Sequence, residues 1–265
     1  HVGHYVKVMM DEIFGYKNFR NEIVWRRMTG VKGNVKEGFP HITDIILFYS
    51  GTGQILFNQE YKPLDSEYIK KFYKYKDEEG RLYRKAGRLY RKAGGSRPEH
   101  YRYYLDESKG TPVSNLWDDI TNVQAGAIEY TAFDTQKPEA LLKRIILASS
   151  NPGDIIADFF CGSGTTLAVA EKLGRRWIGC DLSRYAIHVT RKRLLEIENS
   201  KDLENEDKKY GKKARPFEIL NLGKYERQLW QVKTFTGKDE SEIIAEYLAF
   251  ILKLYGAEPV SGFSH

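Results

Sequence analysis

The stretch Asp158-Phe159-Phe160-Cys161-Gly162-Ser163-Gly164-Thr165-Thr166 constrains this chain more than any other. A short apolar run, Ile155 to Phe160, reads as a strand, and helical spacing follows from about Thr165 to Leu173. Glycines between a strand end and a helix start let backbone approach a ligand closely and permit positive φ. The helix start also leaves backbone N–H groups free to meet an electronegative group. Arg175 to Asp181 reads as a second strand, and Ser183 to about Ile197 as a second helix. This strand–helix–strand–helix order points to an α/β fold with parallel strands and right-handed crossovers. In such sheets ligands bind outside the carboxyl ends of the strands.

The loop excludes several ligand classes. A Walker loop needs a Lys after its last glycine, and Thr165 follows Gly164 here. The dinucleotide pattern GxGxxG fails because Leu167 occupies its third glycine position. Ser163 lies directly between two glycines, which breaks the GxSxG nucleophile elbow. Asp181 ends the second strand, where a carboxylate can accept hydrogen bonds from ribose hydroxyls. These features fit a nucleoside cofactor without a required phosphate, and S-adenosylmethionine (SAM) is such a molecule. Asp158 is placed to meet its ammonium group.

Upstream, Pro138 sits where a helix tolerates proline, and Leu141, Leu142, Ile145 and Ile146 follow helical spacing. Near the start, Val6, Met9, Met10, Ile13 and Phe14 form one helical face that Gly15 ends. Glu22 to Trp25 and Asp44 to Tyr49 read as strands. Lys201 to Arg215 reads as a charged, mobile connection, Phe217 to Leu222 as a strand and Ser241 to Tyr255 as a helix.

Charge is concentrated. The chain has 265 residues and a formal net charge of +6. Between Tyr61 and Tyr104 there are 13 Lys and Arg against 6 Asp and Glu, with nine of the 18 tyrosines. The remainder is close to neutral. Basic residues interleaved with aromatics favour a polyanion, nucleic acid first. In this window the heptapeptide Arg-Leu-Tyr-Arg-Lys-Ala-Gly occurs twice in tandem, at 81–87 and 88–94. Arg81, Tyr83, Arg84, Lys85, Arg88, Tyr90, Arg91 and Lys92 are the candidate DNA contacts it offers.

Other features exclude rather than assign. The longest apolar run, Tyr247 to Leu252, is far short of the roughly 20 residues a membrane helix needs. Two cysteines are too few for a disulfide framework and fit a reducing cytoplasm. The six histidines show no ligand spacing, so no metal is expected. Cys161 and Cys180 read as small buried thiols, Trp25 and Trp177 as core, and Lys143, Arg144 and Arg191 to Arg193 as solvated helix faces.

The Asp158–Thr166 loop resembles the cofactor motif of amino-methylating DNA methyltransferases of the adenine-N6 and cytosine-N4 family. Thr135-Gln136-Lys137-Pro138 resembles the element that precedes that motif in the family's β arrangement. Leu116-Trp117-Asp118-Asp119-Ile120 and Asn21-Glu22-Ile23-Val24-Trp25 are similar to further family stretches. The resemblance implies a Rossmann-like SAM-dependent methyltransferase sheet with an inserted target-recognition region. It divides the chain into a first part of the core at 1–50, a DNA-binding region at 51–130, the cofactor half of the core at 131–200 and a charged linker with extension at 201–265. It assigns SAM to Asp158, Phe159, Phe160, Cys161, Gly162, Ser163, Gly164, Thr165 and Thr166, with Asp181, Leu182 and Ser183 at the ribose and adenine. Thr135, Gln136, Lys137 and Pro138 would close over it. It implies double-stranded DNA as partner, with a restriction subunit or a second copy of the chain as further partners.

The family activates the target amine with an Asp/Ser/Asn-Pro-Pro-aromatic element, which also stacks on the flipped base. All eight prolines of this chain are isolated. The resemblance therefore places the catalytic element upstream of His1, and the chain reads as an inactive fragment with no catalytic residue of its own. Adenine-N6 is the favoured target; cytosine-N4 methylation and a non-catalytic, SAM-fold DNA-binding subunit are the alternatives.

Overall fold

A computed structural model describes residues 3–30, 38–51, 55–90, 99–205 and 207–220, with backbone alone for 86–90 and 99–100. Two compact units divide the chain, at 1–215 and 216–265. The first holds every element named below.

Helix α1 (Gly3–Phe14) ends at Gly15, whose φ of 84° suits a glycine. Strands β1 (Phe19–Arg26) and β2 (Thr43–Tyr49) pair antiparallel, and β8 (Leu116–Trp117) adds in parallel on the other edge of β1. One face of this sheet packs on α3 (Glu139–Ser149), burying Trp25, Trp117, Ile120 and Leu141 together. Trp25 is 1% exposed, and its indole N–H donates to the Ile120 carbonyl at 2.7 Å. That bond lets a large amphipathic ring sit in the core.

The second sheet holds β9 (Ile155–Asp158) and β10 (Arg176–Gly179), parallel in register and joined by α4 (Thr165–Lys172). This is the expected strand–helix–strand unit, with each strand shorter than its apolar run. Val169 and Ala170 of α4 pack against Ile146 of α3, so α3 is shared by both cores. Helix α5 (Arg184–Leu195) completes the expected order.

Residues 61–112 form an insert. It comprises the β3 (Tyr61–Lys62) and β7 (Thr111–Pro112) pair at its root, helix α2 (Ser66–Phe72) and a sheet of β4 (Tyr75–Lys76), β5 (Leu82–Tyr90) and β6 (Glu99–Tyr104). Helix α2 had no apolar periodicity to announce it. Its signal was Asp65, whose carboxylate caps the N–H groups of Glu67 and Tyr68.

Several expectations are corrected. Residues 201–215 dock rather than dangle: Lys201 and Lys209 bridge, Leu203 joins the Ile146 cluster, and Arg215 pairs with Glu171. Glu171 is buried on α4 and requires a cation there. Residues 217–220 are irregular, not strand; 221–222 and the expected helix at 241–255 lie outside the described residues. Cys180 is exposed: Gly179 before it faces Leu167 of α4, so strand alternation puts Cys180 on the open face with Arg176 and Ile178.

Arg144 and Arg193 are not on solvated faces. Arg144 is 8% exposed and bonds Asp119 and Glu60. Arg193 turns inward to Glu139 and Thr165. Lys143 reaches the Leu203 carbonyl and Glu204. Among the described residues, no helix is long and apolar enough to cross a membrane.

Candidate functional site

Two carboxylates bracket the glycine loop. Asp158, the last residue of β9, accepts from the Phe160 N–H at 3.1 Å and from the Thr166 hydroxyl at 2.6 Å. It therefore ties the strand end to the first turn of α4. Asp181, after β10, accepts from the Gly162 N–H at 2.9 Å and from the Ser183 N–H at 2.9 Å. Each carboxylate has acceptor capacity beyond these two bonds. Ser183 in turn caps α5 through the Ala186 N–H.

The glycines are required by position. Gly164 caps α4 in the left-handed region at φ 73°, and a Cβ there would lie 2.7 Å from Thr190 Cγ2 and Oγ1. Gly162, at φ 50°, passes close to the Phe133 ring. The Thr190 hydroxyl donates to the Gly162 carbonyl, fixing the loop against α5. Cys161 is buried, and burial pushes its thiol up, away from thiolate chemistry. Ser163 is buried as well. In contrast, Phe160 is 87% and Leu182 102% exposed, and Phe159 is exposed too. Apolar side chains held open beside a polar backbone cradle suit a flat, partly apolar ligand.

The 135–138 element meets this loop at one point. The Thr165 hydroxyl donates to the Lys137 carbonyl at 3.1 Å. Gln136 is buried and spends its amide on its own loop, accepting from Thr131 N–H and Oγ1 and donating to the Glu129 carbonyl. Pro138 is buried as the N-cap of α3, just outside the first turn where it was expected. Thr135 and Lys137 are exposed, with the Lys137 ammonium near the Thr135 carbonyl.

In the basic insert, the candidates divide by environment. Arg81 donates to Asp106 and Glu107, and its guanidinium lies over the Tyr104 ring. Tyr83 is buried between Tyr75 and Tyr104 and forms the centre of the small sheet. Arg84 covers the Tyr103 ring, and Lys85 is exposed with its ammonium over Tyr75. Arg88 and Tyr90 lie on β5, where the backbone alone is described; Arg91 and Lys92 fall outside the described residues.

Strand β6 adds residues that the candidate set missed. Tyr103 faces Arg84 across the ladder and Arg102 faces Lys85. Tyr101 and Tyr103 are both about half exposed, with ring centroids 5.0 Å apart. The signal was present as Tyr-Arg-Tyr-Tyr at 101–104.

A parallel strand–helix–strand unit, a glycine loop at its carboxyl end and a carboxylate at or just past the end of each strand define a Rossmann-like α/β nucleotide-cofactor fold. The N6/N4 DNA methylase family matches residues 1–192, and the chain belongs to that family. It is 30% identical over 235 residues to the type II methyltransferase M.EcaI of Enterobacter cloacae, covering 73% of this chain and 52% of that protein. It is 54% identical over 80 residues to the DNA adenine methyltransferase YhdJ of Escherichia coli K12, covering 30% of this chain and 27% of that protein. The crystal structure of an M1.HpyAVI–SAM complex aligns with 73% of this chain and 69% of that one, at 21% identity and a TM-score of 0.43. The chain thus spans about half, or less, of the length of the two named relatives.

Proposed function

We propose that this chain holds the cofactor and the DNA of a SAM-dependent DNA amino-methyltransferase that acts on adenine N6. The Asp158–Asp181 bracket around the glycine loop carries this reading. Asp158 and the 159–166 loop would take the methionine end, and Asp181, Leu182 and Ser183 the ribose and adenine. Thr135 to Pro138 would line the opposite wall. The loop fits this use, because Asp158 and Asp181 fix its backbone while Phe159, Phe160 and Leu182 stand open beside it. SAM, when bound, supplies the methyl group. The chain's own residues orient it: fixed backbone donors and carboxylates hold both ends and so reduce the entropy lost on alignment.

The insert at 61–112, within the proposed recognition region 51–130, would meet double-stranded DNA. Its cations neutralise phosphates, which makes affinity salt-dependent. The name of YhdJ, an adenine methyltransferase that is over half identical in the stretch it shares, supports adenine over cytosine. No residue of this chain is assigned to activating the amine, since its sequence contains no Pro-Pro pair. A restriction subunit or a second copy of the chain remains the proposed further partner.

The test has two parts. Calorimetry with SAM, and with NAD as control, should give SAM binding alone; NAD binding without SAM overturns the cofactor reading. Labelled SAM and duplex DNA should give no methyl transfer with the 265-residue chain, and N6-methyladenine once a Pro-Pro-aromatic segment is joined to it. N4-methylcytosine would establish the alternative target.

A further inference from the structure

A buried ionic cluster lies directly behind the glycine loop. The Arg193 side chain, 8% exposed, leaves α5 and donates to three partners. One arm reaches the Glu139 carboxylate at 2.9 Å. The other reaches the Thr165 hydroxyl at 3.1 Å and the Ser163 carbonyl at 3.5 Å. Glu139, at the start of α3, also binds Lys172 at 2.6 Å; that lysine side chain is 1% exposed. Glu129 lies 4.0 Å from Arg193 and accepts the Glu139 N–H.

Each partner of Arg193 belongs to a different part of the site. Ser163 and Thr165 are loop and first turn. Thr165 carries the bond to the Lys137 carbonyl. Glu139 follows Pro138 directly. A planar guanidinium with donors fixed in a fork can hold two such groups at a set separation, and a lysine ammonium cannot. We propose that Arg193 is a positioning residue that fixes the distance between the glycine loop and the 135–138 element, and so the width of the cofactor cleft. This rests on the cofactor reading given above. Arg193 touches no reacting atom; it acts through Thr165 and Ser163.

Solvated helix cations carry out no such work, and their replacement would leave the loop unchanged. Lys172 already neutralises Glu139, so Arg193 is not needed merely to cancel that charge. The part it alone supplies is the arm to the loop.

The test compares the full chain with Arg193→Lys and Arg193→Met. Lysine keeps the charge beside Glu139 and loses the second arm; methionine loses both. Arg193→Lys should melt close to the parent and weaken SAM binding about tenfold, the size expected for a lost hydrogen bond to a charged donor. Amide exchange at 162–168 should quicken in Arg193→Lys, while exchange at 82–85 and 101–104 stays unchanged. DNA affinity should also stay unchanged. Parent-like SAM affinity together with parent-like loop exchange in Arg193→Lys overturns the proposal. So does a uniform rise in exchange across the chain, which marks a merely structural residue. If the parent itself fails to bind SAM, the cofactor reading falls, and loop exchange in the ligand-free variants still decides whether Arg193 positions the loop.

Discussion

The Arg144 guanidinium donates to both carboxylate oxygens of Asp119, at 2.9 and 2.8 Å, and its third arm reaches Glu60 at 2.9 Å. These residues join α3 to the loop after β8 and to the root of the insert, where Lys62 adds a second cation to Asp119. Trp117 underlies the guanidinium. The arrangement holds the insert on the same helix whose other end abuts the glycine loop. Replacing Arg144 with Met should cost about 2 kcal/mol. That lies between exposed and fully buried pairs, because Arg144 is buried while Asp119 is a third exposed. Urea unfolding measures it; a loss under about 0.5 kcal/mol would mean that the pair only decorates the surface.

The same pair predicts a pH dependence. Arg144 holds the Asp119 carboxyl well below the usual carboxylate range. The folded state therefore binds this proton less readily than the unfolded chain. The pair's contribution is complete above the unfolded aspartate pKa, about 3.9, and fades as pH falls below it. Asp119→Asn should flatten the acid limb of the stability curve and leave its shape near neutrality alone. An unchanged acid limb would contradict the assignment.

Gly164→Ala should be disruptive for two separable reasons. The left-handed φ strains any side chain, and the new Cβ collides with Thr190. Together these should cost about 2–4 kcal/mol. Adding Thr190→Ala relieves the collision but not the backbone strain, so the double variant should recover part of the loss. The two changes should be coupled by about 1 kcal/mol in a double-mutant cycle. Additive losses would show that the contact does not decide the glycine.

These cases mark what the sequence makes legible. The β9–loop–α4–β10–α5 order follows from local signals: short apolar runs, glycines at a strand end and a serine cap. Asp158 and Asp181 could be singled out because one closes β9 and the other follows the end of β10. The ionic interior could not be found this way. Arg144 and Arg193 look like any helix cations in sequence, and their partners Asp119 and Glu139 lie 25 and 54 residues away. The burial of Tyr83 was hidden for a similar reason, since Tyr75 and Tyr104 enclose it only once three strands pair. Arg215 belonged to a charged run whose composition resembled a solvated linker, and only the buried Glu171 gives it a fixed place.

Glu129 gives a prediction of opposite sign to Asp119. Burial pushes its carboxyl up, with Glu139 adding repulsion. A raised folded pKa favours the folded state below the unfolded glutamate pKa, and that advantage is lost as pH rises through the folded value. Ionisation at neutral pH thus works against folding. Glu129→Gln keeps an acceptor for the Glu139 N–H and removes the buried charge. It should match or exceed the parent in stability at pH 7 and fall behind it, or draw level, near pH 4. Greater destabilisation at pH 7 than at pH 4 would reverse the sign and refute the account.

The insert yields a contrast between two neighbouring cations, given that it meets DNA. Arg81 is already committed to Asp106 and Glu107, which raise its pKa further, so it has little positive field to offer a phosphate. Lys85 is exposed, with its ammonium over the Tyr75 ring. Lys85→Ala should lower the slope of log affinity against log salt by about 1 and weaken all duplexes alike, as the loss of one phosphate contact does. Arg81→Met should loosen the β5–β6 sheet, visible as faster amide exchange at 103–105, and leave the slope unchanged. Titration of DNA at several salt concentrations separates the two. Equal slope changes in both variants would mean that the Asp106 and Glu107 carboxylates release Arg81 when DNA arrives, and that the ion pair seen here does not govern the interface.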